Sequence, residues 1–407
     1  MKLVRLTVAY PAYLKQFYAE HQSLARSSAS TQYRALADDG FIQARFWEHS
    51  LEPLGYRFTE VVANSEPLQR AWANENGIGF DDKEWMPELA MKRVVQEEPD
   101  VLIVVANPVF TRSWINELRS ACPGLKAVIA WCGAPYKDLD SFKAHDLVLS
   151  CVPELVDQFA ELGHRAIHFN HAFDQWVLGR LSDQSEKSHD FTFIGQINRR
   201  SEFHLQREQF ILHLVERTPL MLFSPIKPTG LGRRLKSYLR DWVIFAHDLL
   251  GEAGVSSKIL DRMPALSRST QYRNNPLLSV HPKLESRINP PLFGLKMFQA
   301  LRDSSLTFNS HLGVSKRYAS NLRMFEATGV GTCLVTDHKE MMDEIFEPDR
   351  EVVTYSSAEE CAEKALYLLE NPRERETIAA AGKARTARDH NYNLRAMQLD
   401  EIIKGIV

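Results

Sequence analysis

Between residues 321 and 337 the chain reads Asn-Leu-Arg-Met-Phe-Glu-Ala-Thr-Gly-Val-Gly-Thr-Cys-Leu-Val-Thr-Asp. Arg323 and Glu326 stand three apart, which sets both side chains on one face of a helix. Gly329 and Gly331 then supply a turn whose backbone can take positive φ or lie close to a ligand, and a short apolar run follows. A carboxylate at Glu326 can accept hydrogen bonds from two neighbouring ribose hydroxyls. It can equally pair with Arg323 in an ordinary helix-turn-strand joint, and the residues alone leave both readings open.

A second chemical segment is Gly195-Gln-Ile-Asn-Arg-Arg200, which follows a strand-like run and opens a helix. A helix N-terminus with two cations, Arg199 and Arg200, can stabilise a diphosphate, or the two arginines can lie exposed on a first helical turn. His171 and Asp174 follow a third strand-like run, and a neutral imidazole or a carboxylate there can orient or deprotonate a hydroxyl. A histidine that satisfies a loop backbone fits the same residues. Tyr10, Asn107 and Trp131 end further strands and can line a cleft, Trp131 by stacking on a sugar ring or by core packing.

For metal chemistry the sequence offers no HExxH, no cysteine pair at ligand spacing and no acidic triplet in a suitable loop; Asp81-Asp82 reads as a solvated approach to a helix. Neither a metal nor another cofactor is expected. The five cysteines lack the density of a disulfide framework and suit a reducing cytosol. A net charge of −3 argues against nucleic acid as a partner, since neutralising phosphates needs an excess of Lys and Arg. No run of about 18 apolar residues occurs, so a cytoplasmic protein is expected.

At 407 residues the chain exceeds what one core usually supports. Strand-like runs at Leu3 to Ala9, Tyr56 to Ala63, Val101 to Val105, Ala127 to Trp131, Leu147 to Cys151 and Ala166 to Phe169 alternate with helix-length pieces. The pattern implies βαβ units and a parallel sheet. A polar stretch at 182–190 reads as a linker, and the pattern restarts at Phe191 to Ile194, Leu220 to Phe223, Leu306 to Asn309, Thr332 to Thr336 and Glu351 to Tyr355. The expected fold is α/β, with two Rossmann-like doubly wound domains facing a cleft. The expected domains are residues 1–181 and 191–390, with 391–407 expected as a C-terminal helix that packs back on the first. Ligands in such sheets bind beyond the C-terminal ends of strands.

About residues 226–289 interrupt the rhythm with a locally basic insertion carrying Arg233, Arg234, Lys236 and Arg240. Leu235, Leu239, Trp242, Phe245 and Leu249 recur at three- and four-residue spacing. The helix either packs this stripe on its domain with a solvated basic side, or lies against an anionic membrane surface.

The 321–337 segment resembles the donor-site signature of bacterial GT-B glycosyltransferases of the glycosyltransferase 1-like kind, in which FEA-x-x-x-G is the core. The resemblance extends through Pro290 to Phe298, Ser305 to His311, Phe346 to Tyr355, Ile378 to Gly382 and His390 to Tyr392, and more faintly through Pro99 to Ile103, Asp146 to Ser150 and Asn170 to Asp174. It implies transfer of a sugar from a nucleotide-sugar donor to a saccharide or cell-surface glycoconjugate. It also implies that Glu326 holds the donor ribose, that Asn321 and Arg323 belong to the same donor site, and that backbone amides beyond Glu326, around Thr328 and Gly329, meet the diphosphate.

The common retaining pattern has a second glutamate eight positions earlier, where this chain has Tyr318. Asn309, Ser310 and His311 are the residues expected to take part of that role, and the lean is towards retention. Epimerisation, phosphorolysis and non-catalytic binding within a surface-assembly complex are the alternatives.

Overall fold

The computed structural model describes residues 1–136, 138–182, 186–197, 202–226, 230–253, 255–260, 263–264, 266–269, 272, 280–311, 315 and 317–407; at 202–206, 231, 233–234, 252 and 257–258 the description is of the backbone alone. Contacts group residues Met1–Thr192 with Leu292–Val407 as one unit and Phe193–Pro291 as another.

The larger unit holds a six-stranded sheet in the order β2-β1-β3-β4-β5-β6, made of β1 (Lys2–Thr7), β2 (Arg57–Val62), β3 (Val101–Val105), β4 (Ala127–Trp131), β5 (Leu147–Ser150) and β6 (Ala166–His168). All neighbours are parallel. Side chains alternate between sheet faces. In β3, Leu102 and Val104 enter one buried cluster with Val4, Leu6 and Val128, while Val101 and Ile103 enter another with Leu3, Ile129 and Leu149. Both faces are covered, so the strand must be apolar at every position.

The second sheet comprises β7 (His189–Ile194), β8 (Leu220–Phe223), β9 (Ile288–Asn289), β10 (Ser304–Phe308), β11 (Cys333–Asp337) and β12 (Val353–Tyr355), in the order β12-β11-β10-β7-β8-β9. Its pairings are parallel as well. The last residues of β7 belong to the smaller unit, where the Gly195 N–H donates to the Phe223 carbonyl and β8 pairs with β9. Buried Ile211, Leu214, Leu220, Leu222 and Leu284 form the apolar interior of that unit.

Four helices matter for function: α1 (Leu231–Glu252), α2 (Leu322–Val330), α3 (Pro372–Asp389) and α4 (Tyr392–Lys404). Ala396, Leu399 and Ile403 of α4 complete the cluster beneath β1, β3, β4 and β5. Each leucine or isoleucine buried this way is worth about 1.5–3 kcal/mol. Polar contacts fix the helix further: the Tyr56 hydroxyl donates to Asp400 Oδ1 at 2.9 Å, and Arg395 Nε donates to the carbonyls of Asn170 and His171.

Helix α2 lies inside the larger unit, with every residue from Met324 to Val330 buried. Gly329 is where it meets the first half of the chain, because a Cβ there would fall 2.2 Å from Cγ of Phe173. The helix ends at Gly331 with φ of 86°, a left-handed cap that suits glycine. In α1 the structure departs from the packed-helix expectation. Leu235, Leu239, Trp242, Phe245 and Leu249 are exposed, and half-buried Val243, Ile244 and Leu250 lie on the less exposed side. The helix carries apolar residues on two sides, so periodicity alone could not say which is covered.

Candidate functional site

One pocket of about 890 Å3 opens in the larger unit, a size ordinary for small-ligand sites. It gathers the residues that follow strand ends in both sheets: Tyr10 after β1, Ala106 after β3, Trp131 to Pro135 at β4, Cys151 and Val152 after β5, His171 after β6, and His311 with Ser315 after β10. Asn321 and Leu322, at the start of α2, complete this wall. A parallel sheet directs its strand C-termini to one edge, so residues distant in sequence converge there.

Asn321 caps α2, its side-chain oxygen accepting from the Arg323 N–H at 3.0 Å. The positive end of the helix macrodipole therefore opens on the pocket. One turn further in, Arg323 donates from Nη1 to Glu326 Oε2 at 2.7 Å, with both side chains largely buried, and also contacts Met297 Sδ at 2.9 Å. Burial raises the Glu326 carboxyl above its ordinary range, and the Arg323 guanidinium opposes that rise. The ion pair that the sequence left as one alternative is present. One carboxylate oxygen serves it, and a carboxylate offers about four acceptor positions in all.

His311 is a buried polar group on the pocket wall, its side chain only 1% exposed. Its Nδ1 lies 2.7 Å from Asp337 Oδ1, and its backbone N–H donates to the same oxygen at 2.9 Å. Lys339 Nζ stands 3.1 Å from the other oxygen. Burial pushes Asp337 upward, but His311 and Lys339 together outweigh it and hold the carboxyl below its ordinary range. An ionised carboxylate only accepts, so Nδ1 carries the hydrogen. Nε2 is the other ring nitrogen, and among the described residues it is buried without a hydrogen-bond partner. A neutral ring would accept there from a hydroxyl; a protonated one would donate to an oxyanion.

His171 lines the same pocket, its ring 5.4 Å from that of Trp131. Burial, aided by the charge of Arg395, drives its pKa down to about 4. The ring is neutral near pH 7 and a weak base, better fitted to orient a hydroxyl than to take its proton. Asp174 is not brought to the pocket wall. Its Oδ1 accepts from the Trp176 N–H at 2.8 Å and caps the turn at Gln175–Arg180, and burial raises its carboxyl against that N–H and His49.

Asn309 is buried behind the wall: its Nδ2 donates to Thr336 Oγ1 at 2.9 Å and its carbonyl accepts from the Tyr355 hydroxyl. Ser310 Oγ contacts the His311 carbonyl at 3.4 Å. The Thr328 hydroxyl is used inside the protein, donating to the Met324 carbonyl and touching Thr386 of α3 at 2.6 Å. Gly329 gives its close approach to Phe173. Tyr318 lies under the Arg317 guanidinium, 5.1 Å away, and Asn107 Oδ1 accepts from the Val109 N–H.

Gly195 sits in the smaller unit at the end of β7, where a Cβ would crowd the Phe193 ring at 2.9 Å. Arg199 and Arg200 lie outside the described residues. Among the described residues no group of three or more His, Cys, Asp or Glu is placed to hold a metal ion. Sequence reasoning missed Asp337 and Lys339. A carboxylate ending a parallel strand next to a glycine-turn helix was the available signal.

Residues 261–401 match the family model described as glycosyl transferase-like. A search of curated protein sequences finds no match. Among solved structures, HepE of Anabaena in complex with UDP-glucose is similar to the chain at 12% identity and a TM-score of 0.54, with both chains fully covered. Sucrose-phosphate synthase of Thermosynechococcus elongatus has 9% identity and a TM-score of 0.53 over 100% of this chain and 98% of that one. A glycosyltransferase of Rickettsia africae has 9% identity and a TM-score of 0.51 over the same shares. Two six-stranded parallel sheets flanked by helices and these whole-chain likenesses establish the GT-B fold.

Proposed function

We propose that this chain is a glycosyltransferase that moves a sugar from a nucleotide-sugar donor to a saccharide or cell-surface glycoconjugate. The observation that carries the reading is one pocket that joins the strand ends of both sheets, the N-terminus of α2 and His311, whose Nε2 has no hydrogen-bond partner among the described residues. A leaving diphosphate gains negative charge as the glycosidic bond breaks, and preorganised dipoles and N–H groups stabilise such charge without reorganising. The α2 N-terminus supplies such a pole, and His311 stands on the same wall. Glu326, held by Arg323, is the proposed ribose acceptor.

His171 and Trp131 present a neutral ring pair suited to a sugar. Retention is the proposed stereochemical outcome, and the proposed reaction uses no divalent ion. UDP-glucose is the first donor to try, since HepE was solved with it. Purified protein should transfer sugar from one member of a nucleotide-sugar panel to a saccharide acceptor, with the product's anomeric proton read by NMR and the reaction repeated in excess chelator. Donor consumed without acceptor, or binding without any transfer, overturns the transferase reading; loss of transfer in chelator restored by magnesium overturns its metal independence.

A further inference from the structure

Arg395 of α4 is 5% exposed, and none of its hydrogen-bond partners among the described residues is a carboxylate. Its Nε donates to the carbonyls of Asn170 and His171 at 3.1 and 3.2 Å. Nη1 donates to Gln398 Oε1 at 3.1 Å, and Nη2 lies 3.4 Å from His390 Nδ1. The acid on the same helix, Asp400, is engaged by Lys404 and by the Tyr56 hydroxyl instead. Burying a guanidinium without an anion is costly, and an apolar residue of similar volume would pack α4 as well or better.

What the guanidinium holds is the segment that carries His171 to the pocket. The Phe169 N–H still donates to the Ser150 carbonyl at 2.8 Å, and beyond it the chain leaves the sheet. Arg395 takes the next two carbonyls. Phe173 then donates to the His390 carbonyl at 2.9 Å and bridges to Asn391. The C-terminal segment therefore does for residues 170–173 what a neighbouring strand does for β6. His171 is half-buried, and its ring meets Trp131 without a hydrogen bond of its own among the described residues. Its place on the pocket wall is set by its backbone, and that backbone is held by Arg395.

We propose that Arg395 is a positioning residue for sugar transfer: by holding the carbonyls of Asn170 and His171 it sets the His171 imidazole beside Trp131, facing an acceptor hydroxyl. The inference rests on the reading of this pocket as a glycosyl-transfer site. Charge works in the same direction as geometry. Burial, and after it the Arg395 cation, disfavours a second proton on the ring, and a neutral imidazole keeps one nitrogen to accept with.

Steady-state transfer by the full chain tests it. Because small misplacements of an orienting group are expensive, Arg395→Met should lower kcat about ten- to a hundred-fold, with the donor KM unchanged to within about twofold. Arg395→Lys, which keeps the charge and a donor, should recover part of the loss. In a chain that already carries His171→Ala, Arg395→Met should cost nothing further. Tyr56→Phe removes the bond to Asp400 on the same helix and should lower stability while leaving kcat as it was. An equal loss with and without His171, or a loss in Tyr56→Phe as large as in Arg395→Met, overturns the proposal and leaves Arg395 a packing residue. The imidazole carbon NMR signals of His171, identified by their absence in His171→Ala, need no turnover: they should shift in Arg395→Met and hold in Tyr56→Phe. A wild type that transfers no sugar defeats the transferase reading, and those signals then decide the positioning alone; if Arg395→Met leaves them unmoved, the inference falls.

Discussion

Helices α2 and α1 invert each other. Helix α2 buries an ion pair, Arg323 with Glu326, among apolar neighbours, while α1 leaves leucines and three aromatic rings in solvent. In each case the unusual placement costs stability within the chain, since a buried charge needs compensation and an exposed apolar face forgoes burial. Features that weaken the lone fold and persist are where ligands and partners are to be sought. The lesson is that burial pattern, more than residue type, separates residues that hold the fold from residues that serve something outside it.

The largest expected effect sharpens the α2 side. Glu326→Gln keeps the shape but removes charge-assisted hydrogen bonds worth roughly 1.5–3 kcal/mol, so donor affinity should fall about ten- to a hundred-fold. Calorimetric titration at a temperature where the variant is folded separates this from the stability lost with the Arg323 pair. Affinity within twofold of wild type would reduce Glu326 to a packing residue. Next comes Gly329→Ala, which drives a methyl into the Phe173 ring. Overpacking of this kind costs about 1–3 kcal/mol. Urea unfolding should show the loss, and Phe173→Leu in the same chain should recover part of it; no loss would mean the helix can shift away from the ring.

A second buried pair gives an effect that is spread over a pH window. Arg5 Nε donates to Glu60 at 2.6 Å, yet burial pushes the Glu60 carboxyl up from 4.5 to about 7. Because the folded value lies above the unfolded one, the folded state binds more protons between them. The stabilisation is complete below about pH 4.5 and lost as pH rises through about 7, with a slope of at most about 1.4 kcal/mol per pH unit. Unfolding free energies across that window should lose this slope in Glu60→Gln, and an unchanged slope would assign it to other groups. Smallest of all, Trp242→Ser on α1 should change the unfolding free energy of the monomeric chain by no more than about 0.5 kcal/mol. A larger loss would mean that α1 is a packed helix after all and would erase the contrast.

Legibility in the sequence follows the same division. Strands β3, β4 and β8 are readable to the residue, because a parallel strand covered on both faces is an uninterrupted apolar run. Strand β9, two residues long, has no period to read. Arg323 and Glu326 are one helical turn apart, so their pairing is visible in the sequence. The bond from His311 to Asp337 spans 26 residues and exists only because β10 pairs with β11. Gly329 was legible as a point of close approach, but the neighbour it admits, Phe173, comes from the other half of the chain. Asp174 shows the limit of composition: a carboxylate after a strand can serve catalysis or cap a turn, and the accepted Trp176 N–H, which shows the cap, is invisible in the sequence.

The seat of α4 beneath the first sheet has a consequence for synthesis on the ribosome. Strands β1 to β6 are all translated by His168, but the face that Leu51, Tyr56 and Phe169 cover in part is not completed until Ala396, Leu399 and Ile403 emerge. At about 5–20 residues per second the gap lasts roughly ten to fifty seconds. For that interval the nascent first half carries a sheet whose face around Leu3, Ile129 and Leu149 lacks part of its cover, an object that holdase chaperones bind. Chains released early, before α4 is made, should accumulate in that state and be cleared by proteolysis.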